Sequence, residues 1–119
     1  MANINYDYYR GITKYDDGNV ENELLSFYDG KINLDLNRDD IFYVLTDIRE
    51  NIINWYPFKK NSEVLEIGGG TGPITGVLCR KAKHVVSVEN SKRRAEIIYK
   101  RNAKYENLDV YAGNFQDIQ

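Results

Sequence analysis

The apolar positions of this 119-residue chain change their spacing twice along its length. Over the first forty residues they are sparse. The stretch from Asn3 to Asp40 is rich in Asn, Asp and Tyr, with Asp16-Asp17-Gly18 and Asp29-Gly30 as turn signals. Between those turns Val20, Leu24, Leu25 and Phe27-Tyr28 keep a helical spacing, which predicts a short helix ending at Gly30. The rest of residues 1–40 reads as an irregular acidic arm. From Ile41 onward the apolar positions fall into a stripe. Ile41, Leu45, Ile48, Ile52 and Trp55 recur every three or four residues and predict one amphipathic helix of roughly four turns. Asn37 or Asp39 can cap its start, and Pro57 stops it.

Past the polar loop Lys59-Lys60-Asn61-Ser62 the pattern alternates between strand and helix. Glu63 to Ile67 reads as a short strand running into Gly68-Gly69-Gly70-Thr71-Gly72. A helix is expected from about Pro73 to Ala82, with proline suited to its first turn. His84 to Val88 is a second strand ending at Glu89. Ser91 caps a helix to about Lys104, with Ala95, Ile98 and Tyr99 inward, and Leu108 to Ala112 is a third strand. Strand, helix, strand, helix, strand predicts an α/β fold: half of a doubly wound parallel sheet with right-handed crossovers. In such sheets the first strand lies in the middle. With three strands, the one bearing Val64, Leu65 and Ile67 would present an unpaired apolar edge. The expectation is therefore a domain truncated after its third parallel strand, with self-association through that edge as one way to cover it.

Composition narrows the field. The chain is 42% hydrophobic and 29% charged, which supports a modest core and excludes a disordered or fibrous class. No apolar run approaches the length of a membrane span, and the start lacks signal-peptide features, so a cytoplasmic protein is expected. Cys79 and His84 are the only residues of their kinds, which excludes an internal disulfide and any metal centre built on several cysteines or histidines. No metal is expected. The net charge of −2 conceals an asymmetry: residues 1–50 carry five basic and eleven acidic side chains, residues 51–119 eleven basic and seven acidic. That split fits either two solvated faces or a half that meets nucleic acid.

The glycine cluster is the main chemical signal. A glycine-rich turn between strand and helix lets the backbone approach a ligand and aims free N–H groups at it. The dinucleotide pattern G-x-G-x-x-G fails in both frames, ending on Pro73 or Thr75, and no Gly-Lys pair supplies a phosphate loop. What remains is an acidic residue, Glu66, followed by G-x-G-x-G.

Val64-Leu65-Glu66-Ile67-Gly68-Gly69-Gly70-Thr71-Gly72 resembles the first motif of the class I S-adenosylmethionine-dependent methyltransferases. Pro73 to Leu78, Val85 to Glu89 and Gly113-Asn114-Phe115 continue the similarity, which covers roughly residues 41–119 as a partial, cofactor-binding methyltransferase domain. Two subgroups share it: the rRNA adenine dimethylases and the methyltransferase modules found beside bacterial glycosyltransferases. The leader from Arg49 to Phe58 stands closer to the second, which favours a glycan or small-molecule acceptor over RNA.

The resemblance implies S-adenosyl-L-methionine as cofactor. Gly68, Gly69, Gly70 and Gly72 would wrap its methionine portion, and Glu66 would organise its ammonium end. Glu89 would accept both ribose hydroxyls from the end of the second strand. Its bland alternative is a carboxylate at a helix start. Asn90 would line the adenine pocket or simply cap the helix. Asn114 would bond the adenine amino group and Phe115 would cover the ring; Asp is the commoner residue at the Asn114 position. The adenine- and glutamine-modifying members carry a Pro-Pro motif after a fourth strand, and Pro57 and Pro73 are the only prolines here. The catalytic residues are therefore unknown, and the isolated chain is expected to be inactive. The rivals are a scaffold module that kept the fold, and an RNA methylase fragment using the basic helix 91–104. On that helix Lys92, Arg93, Arg94, Lys100, Arg101 and Lys104 read first as a solvated face. Cys79 reads as core, His84 as a surface residue, and Tyr6, Tyr8, Tyr9 and Tyr15 as anchors of the arm.

Overall fold

A computed structural model describes residues 1–11 and 18–118. Tyr15 and the Asp16-Asp17 part of the first expected turn lie outside the described residues. Three strands form where the alternation places them: β2 (Glu63–Ile67), β3 (His84–Glu89) and β4 (Leu108–Ala112). A fourth, β1 (Asn3–Asn5), lies within the expected arm. All four run parallel in the order β1-β4-β3-β2. Among the described residues the sheet therefore has four strands and not three. With one apolar residue, Ile4, β1 carries no period of its own. It is held by ladder pairing to β4, by Asn3 Nδ2 donating to Asp109 Oδ1 at 3.1 Å, and by the Ala2 N–H donating to the Ala103 carbonyl at 3.0 Å.

The helices are α1 (Asn19–Tyr28), α2 (Asp39–Leu45), α3 (Thr75–Lys81) and α4 (Lys92–Arg101). α1 ends as expected: Asp29 closes it, and Gly30 takes a positive φ of 75°. α3 and α4 are shorter than the sequence suggests by one to three residues at their ends. Ser91 does cap α4, its hydroxyl accepting from the Arg94 N–H at 3.3 Å.

The leader is the clearest departure. The single helix expected from Ile41 to Trp55 breaks at Thr46, whose backbone is extended, and a 3₁₀ turn spans Asp47–Ile52. Thr46 Oγ1 donates to the Phe42 carbonyl at 2.8 Å, a local bond that competes with helix propagation. Ile41 is fully buried, whereas Ile48, Ile52 and Trp55 are exposed. Neither expected cap forms. Arg38 stands at the N-cap and reaches Glu23 on α1 and Asp40 instead.

One face of the sheet is filled. Val85, Leu108, Val110 and Ala112 pack there with Leu78 and Cys79 of α3 and Ala95 and Ile98 of α4, all at most 6% exposed. Full burial of each large aliphatic side chain contributes about 1.5–3 kcal/mol. On the other face Leu65 and Ile67 of β2 remain half exposed, and β2 is the open edge that the sequence anticipates. His84 is not the lone surface residue expected: its Nε2 lies 2.7 Å from Asp109 Oδ2 across the ladder. Among the described residues no helix is long and apolar enough to cross a membrane.

Candidate functional site

Where β2, β3 and β4 end, their loops enclose a cleft of about 440 Å³. Parallel strands deliver their C-terminal ends to one side of the sheet, so the ligand crevice of this architecture falls there. Of the residues singled out by sequence, Gly68, Glu89, Asn90, Asn114 and Phe115 line this cleft. The ladder extends into its walls: the Gly68 N–H donates to the Val88 carbonyl at 2.8 Å and the Gly113 N–H to the Glu89 carbonyl at 2.9 Å.

Glu89 sits at the centre and is 7% exposed. Its Oε1 accepts from the Gly70 N–H at 3.2 Å and its Oε2 from the Ser91 N–H at 2.6 Å. The carboxylate thus ties the glycine loop to the start of α4. The bland role, a helix-start carboxylate, and the binding geometry coexist in one side chain.

The other glycines and Glu66 do not line the cleft. Alternation along β2 sends Glu66 to the filled face, where its Oε1 accepts from Thr75 Oγ1 at 2.6 Å and Ser87 Oγ at 2.7 Å. Gly69 packs directly above that cluster. A Cβ there would stand 2.7 Å from Ser87 Oγ, 2.8 Å from Ile98 Cδ1 and 2.9 Å from Glu66 Oε1. Gly68 and Gly70 hold positive φ angles of 73° and 62°, with open space where a Cβ would point.

Asn114 Oδ1 accepts from the Gln116 N–H at 2.9 Å and caps the 3₁₀ turn Phe115–Asp117, which presents Phe115 at the rim. Asn90 lines the cleft and is not the helix cap, a role that Ser91 fills. Sequence reasoning missed Gly113, Gln116 and Arg94 as cleft residues. The position of Gly113 directly after β4 was a usable signal. Arg94 carried none, because its place depends on what α1 does.

The cations of the basic helix are engaged within the chain. The Lys92 ammonium lies 5.5 Å from the Tyr6 ring centre, Arg93 donates to the Gly18 carbonyl and to Asn22, and Arg94 Nε donates to Glu21 Oε1 at 3.0 Å. Lys100 pairs with Asp29, and Arg101 donates to the Leu45 carbonyl at 3.1 Å. The acidic half of the chain is therefore laid against the basic half, which accounts for the charge asymmetry. Of the arm tyrosines, the described Tyr6, Tyr8 and Tyr9 are anchors as expected. Tyr6 OH donates to Glu96 at 3.2 Å, the Tyr8 and Tyr111 rings stand 6.1 Å apart, and Tyr9 packs on the core.

Cys79 is core. Burial, reinforced by the Glu66 charge, pushes its thiol up to about 12. The neutral thiol favours the folded state fully below the ordinary value of 9, and that contribution fades as the pH climbs towards 12. At pH 8 the folded protein is expected to resist iodoacetamide, with labelling appearing only alongside urea unfolding. Rapid labelling of the folded protein would show the thiol to be accessible.

A sequence model of the ribosomal RNA adenine dimethylases matches residues 41–119, the greater part of the chain. The chain belongs to the ribosomal RNA adenine dimethylase family. A probable ribosomal RNA small subunit methyltransferase A from Thermococcus sibiricus is 30% identical over 96 residues, covering 81% of this chain and 34% of that protein. The crystal structure of a dimethyladenosine transferase from Plasmodium falciparum is 35% identical, with a TM-score of 0.53 over 60% of this chain and 27% of that one. Phosphoethanolamine N-methyltransferase 1 from Haemonchus contortus, solved with phosphoethanolamine and S-adenosylhomocysteine, shares the fold at a TM-score of 0.56. It is 24% identical, covering 83% of this chain and 22% of that one. The fold is thus the Rossmann-like class I methyltransferase fold. The chain spans between 26% and 34% of the length of the first curated relatives it matches. Of the two groups the sequence resembles, the match is with the dimethylases, and the leader residues Arg49 to Phe58 lie inside it.

Proposed function

We propose that this chain holds S-adenosyl-L-methionine in the cleft at the ends of β2, β3 and β4, in service of methyl transfer to adenine in RNA. The observation that carries the reading is Glu89, a nearly buried carboxylate on the cleft wall, braced by the backbone of both loops that a nucleoside would meet. Family membership supplies the cofactor class, and it supports RNA as the acceptor over the glycan or small molecule favoured by the leader.

The residues present fit the cofactor. Gly68 and Gly70 leave open space where a side chain would block close approach to the loop. Glu89 offers two oxygens to vicinal hydroxyls, Asn114 a polar edge to the adenine, and Phe115 an apolar cover. Glu66, Gly69 and Gly72 support the loop from beneath. The cofactor supplies an activated methyl group on a sulfonium centre. The task left to the protein is to hold that group in line with a nucleophile, and no residue of this chain is assigned to positioning the acceptor. Calorimetric titration with S-adenosylhomocysteine tests the reading, with NAD as the control. Saturable binding of the first and none of the second is expected; equal binding of both, or binding of neither by folded protein, would contradict it.

A further inference from the structure

The three basic residues that open α4 run against the field of their own helix, whose N-terminal end disfavours cations. Each is engaged by the N-terminal segment, as described above. Arg94 differs from the other two in where its side chain ends. It lines the cleft beside Glu89 and Asn114, it is 26% exposed, and apart from Nε its guanidinium makes no hydrogen bond to the described residues.

Glu21 is its counterpart on α1. Its side chain is 3% exposed, Oε1 accepts from Arg94 Nε at 3.0 Å, and Oε2 is buried without a partner among the described residues. A half-satisfied buried carboxylate is costly to keep. Here its visible consequence is a guanidinium held at Nε with its planar fork left over for the cleft.

We propose that Arg94 is a contact residue for the adenosine end of the cofactor and that Glu21 is its positioning residue, so that α1 belongs to the binding site. The inference rests on the cofactor reading above. A guanidinium fixed at one nitrogen still offers four N–H donors in a plane, suited to ring nitrogens and ribose oxygens. α1 lies outside the residues matched by the family model, 41–119, so this part of the site belongs to this chain's own N-terminal segment.

The test is calorimetric titration of S-adenosylhomocysteine into wild type and five variants, Arg94→Met alone included as a reference, each checked by thermal denaturation. Glu21→Leu with Arg94→Met removes both charges together and leaves no unpaired buried ion, so the fold should survive. Its affinity is expected to fall about tenfold, the loss of one charge-assisted hydrogen bond. Arg94→Lys keeps the charge beside Glu21 but not the fork. It is expected to weaken binding by a similar factor, and it decides the matter if the double variant fails to fold. Glu21→Gln should weaken binding when Arg94 is present and change nothing in an Arg94→Met background, the signature of a residue acting through another. Wild-type affinity in the folded double variant or in Arg94→Lys would overturn the inference while leaving the cofactor reading intact. Absence of binding by wild type would overturn the cofactor reading, and this inference with it.

Discussion

Glu89→Ala is expected to weaken S-adenosylhomocysteine binding by a hundredfold or more, the largest effect of any single change in the cleft. Two charge-assisted hydrogen bonds to the ribose hydroxyls, at roughly 1.5 kcal/mol each, amount to a factor of about 150. The same substitution removes the acceptor shared by the Gly70 and Ser91 N–H groups, which frees the glycine loop and the start of α4. Affinity should therefore fall further than the ligand bonds alone require, and the melting temperature should drop with it. Glu89→Gln separates the two effects. It preserves an oxygen for one brace and lowers affinity through the lost charge, with a smaller loss of stability. Calorimetry and thermal denaturation on the same samples read both quantities, and near-wild-type affinity for Glu89→Ala would remove Glu89 from the site.

Gly69→Val is expected to destabilise the fold, whereas Gly70→Ala spares the fold and damages binding. At Gly69 even a Cβ would meet Ser87, Ile98 and Glu66 at 2.7 to 2.9 Å, and two further methyls have nowhere to go. Overpacking of this kind typically costs 1–3 kcal/mol, and here it also disturbs the hydroxyl pair that satisfies Glu66. At Gly70 the Cβ points into open space, so the fold bears only the strain of a positive φ, about 1 kcal/mol. The new methyl group then occupies room over the loop that the cofactor reading assigns to ligand. Urea unfolding measures the first effect and calorimetry the second. Equal stability losses for the two variants would show that the glycines are not divided in this way.

The division between cleft and support was not legible in the motif. Four glycines in five residues announce a ligand loop, but only the alternation of β2 and the packing of Ile98 decide which of them face outward. Glu66 illustrates the point. Its place before the glycines resembles a ligand-binding acid, yet its register on β2 turns it towards Thr75 and Ser87. By contrast Glu89, Asn90, Asn114 and Phe115 were readable, because residues at the C-terminal ends of parallel strands fall on one side of the sheet whatever the helices do.

The strands β2, β3 and β4 were legible for a similar reason: each carries its own period of apolar residues. β1 was not, since three residues with one isoleucine acquire strand structure only by pairing with β4, more than a hundred positions away. The leader misled in the opposite direction. Its stripe has helical spacing throughout, but only Ile41 finds a core to enter, and Thr46 ends the helix before the remaining positions matter. The basic helix shows the same dependence on tertiary context, as its charges acquire meaning only when the acidic arm is laid across them.

The location of the cofactor is the central claim. The most direct test is to record amide spectra of the isotopically labelled chain during titration with S-adenosylhomocysteine. The largest shifts are expected at Gly68 to Gly70, Glu89 to Ser91 and Gly113 to Gln116, with Arg94 among them. Shifts confined instead to the polar hollow around Arg80 and Tyr105, or to the open face of β2, would contradict the account.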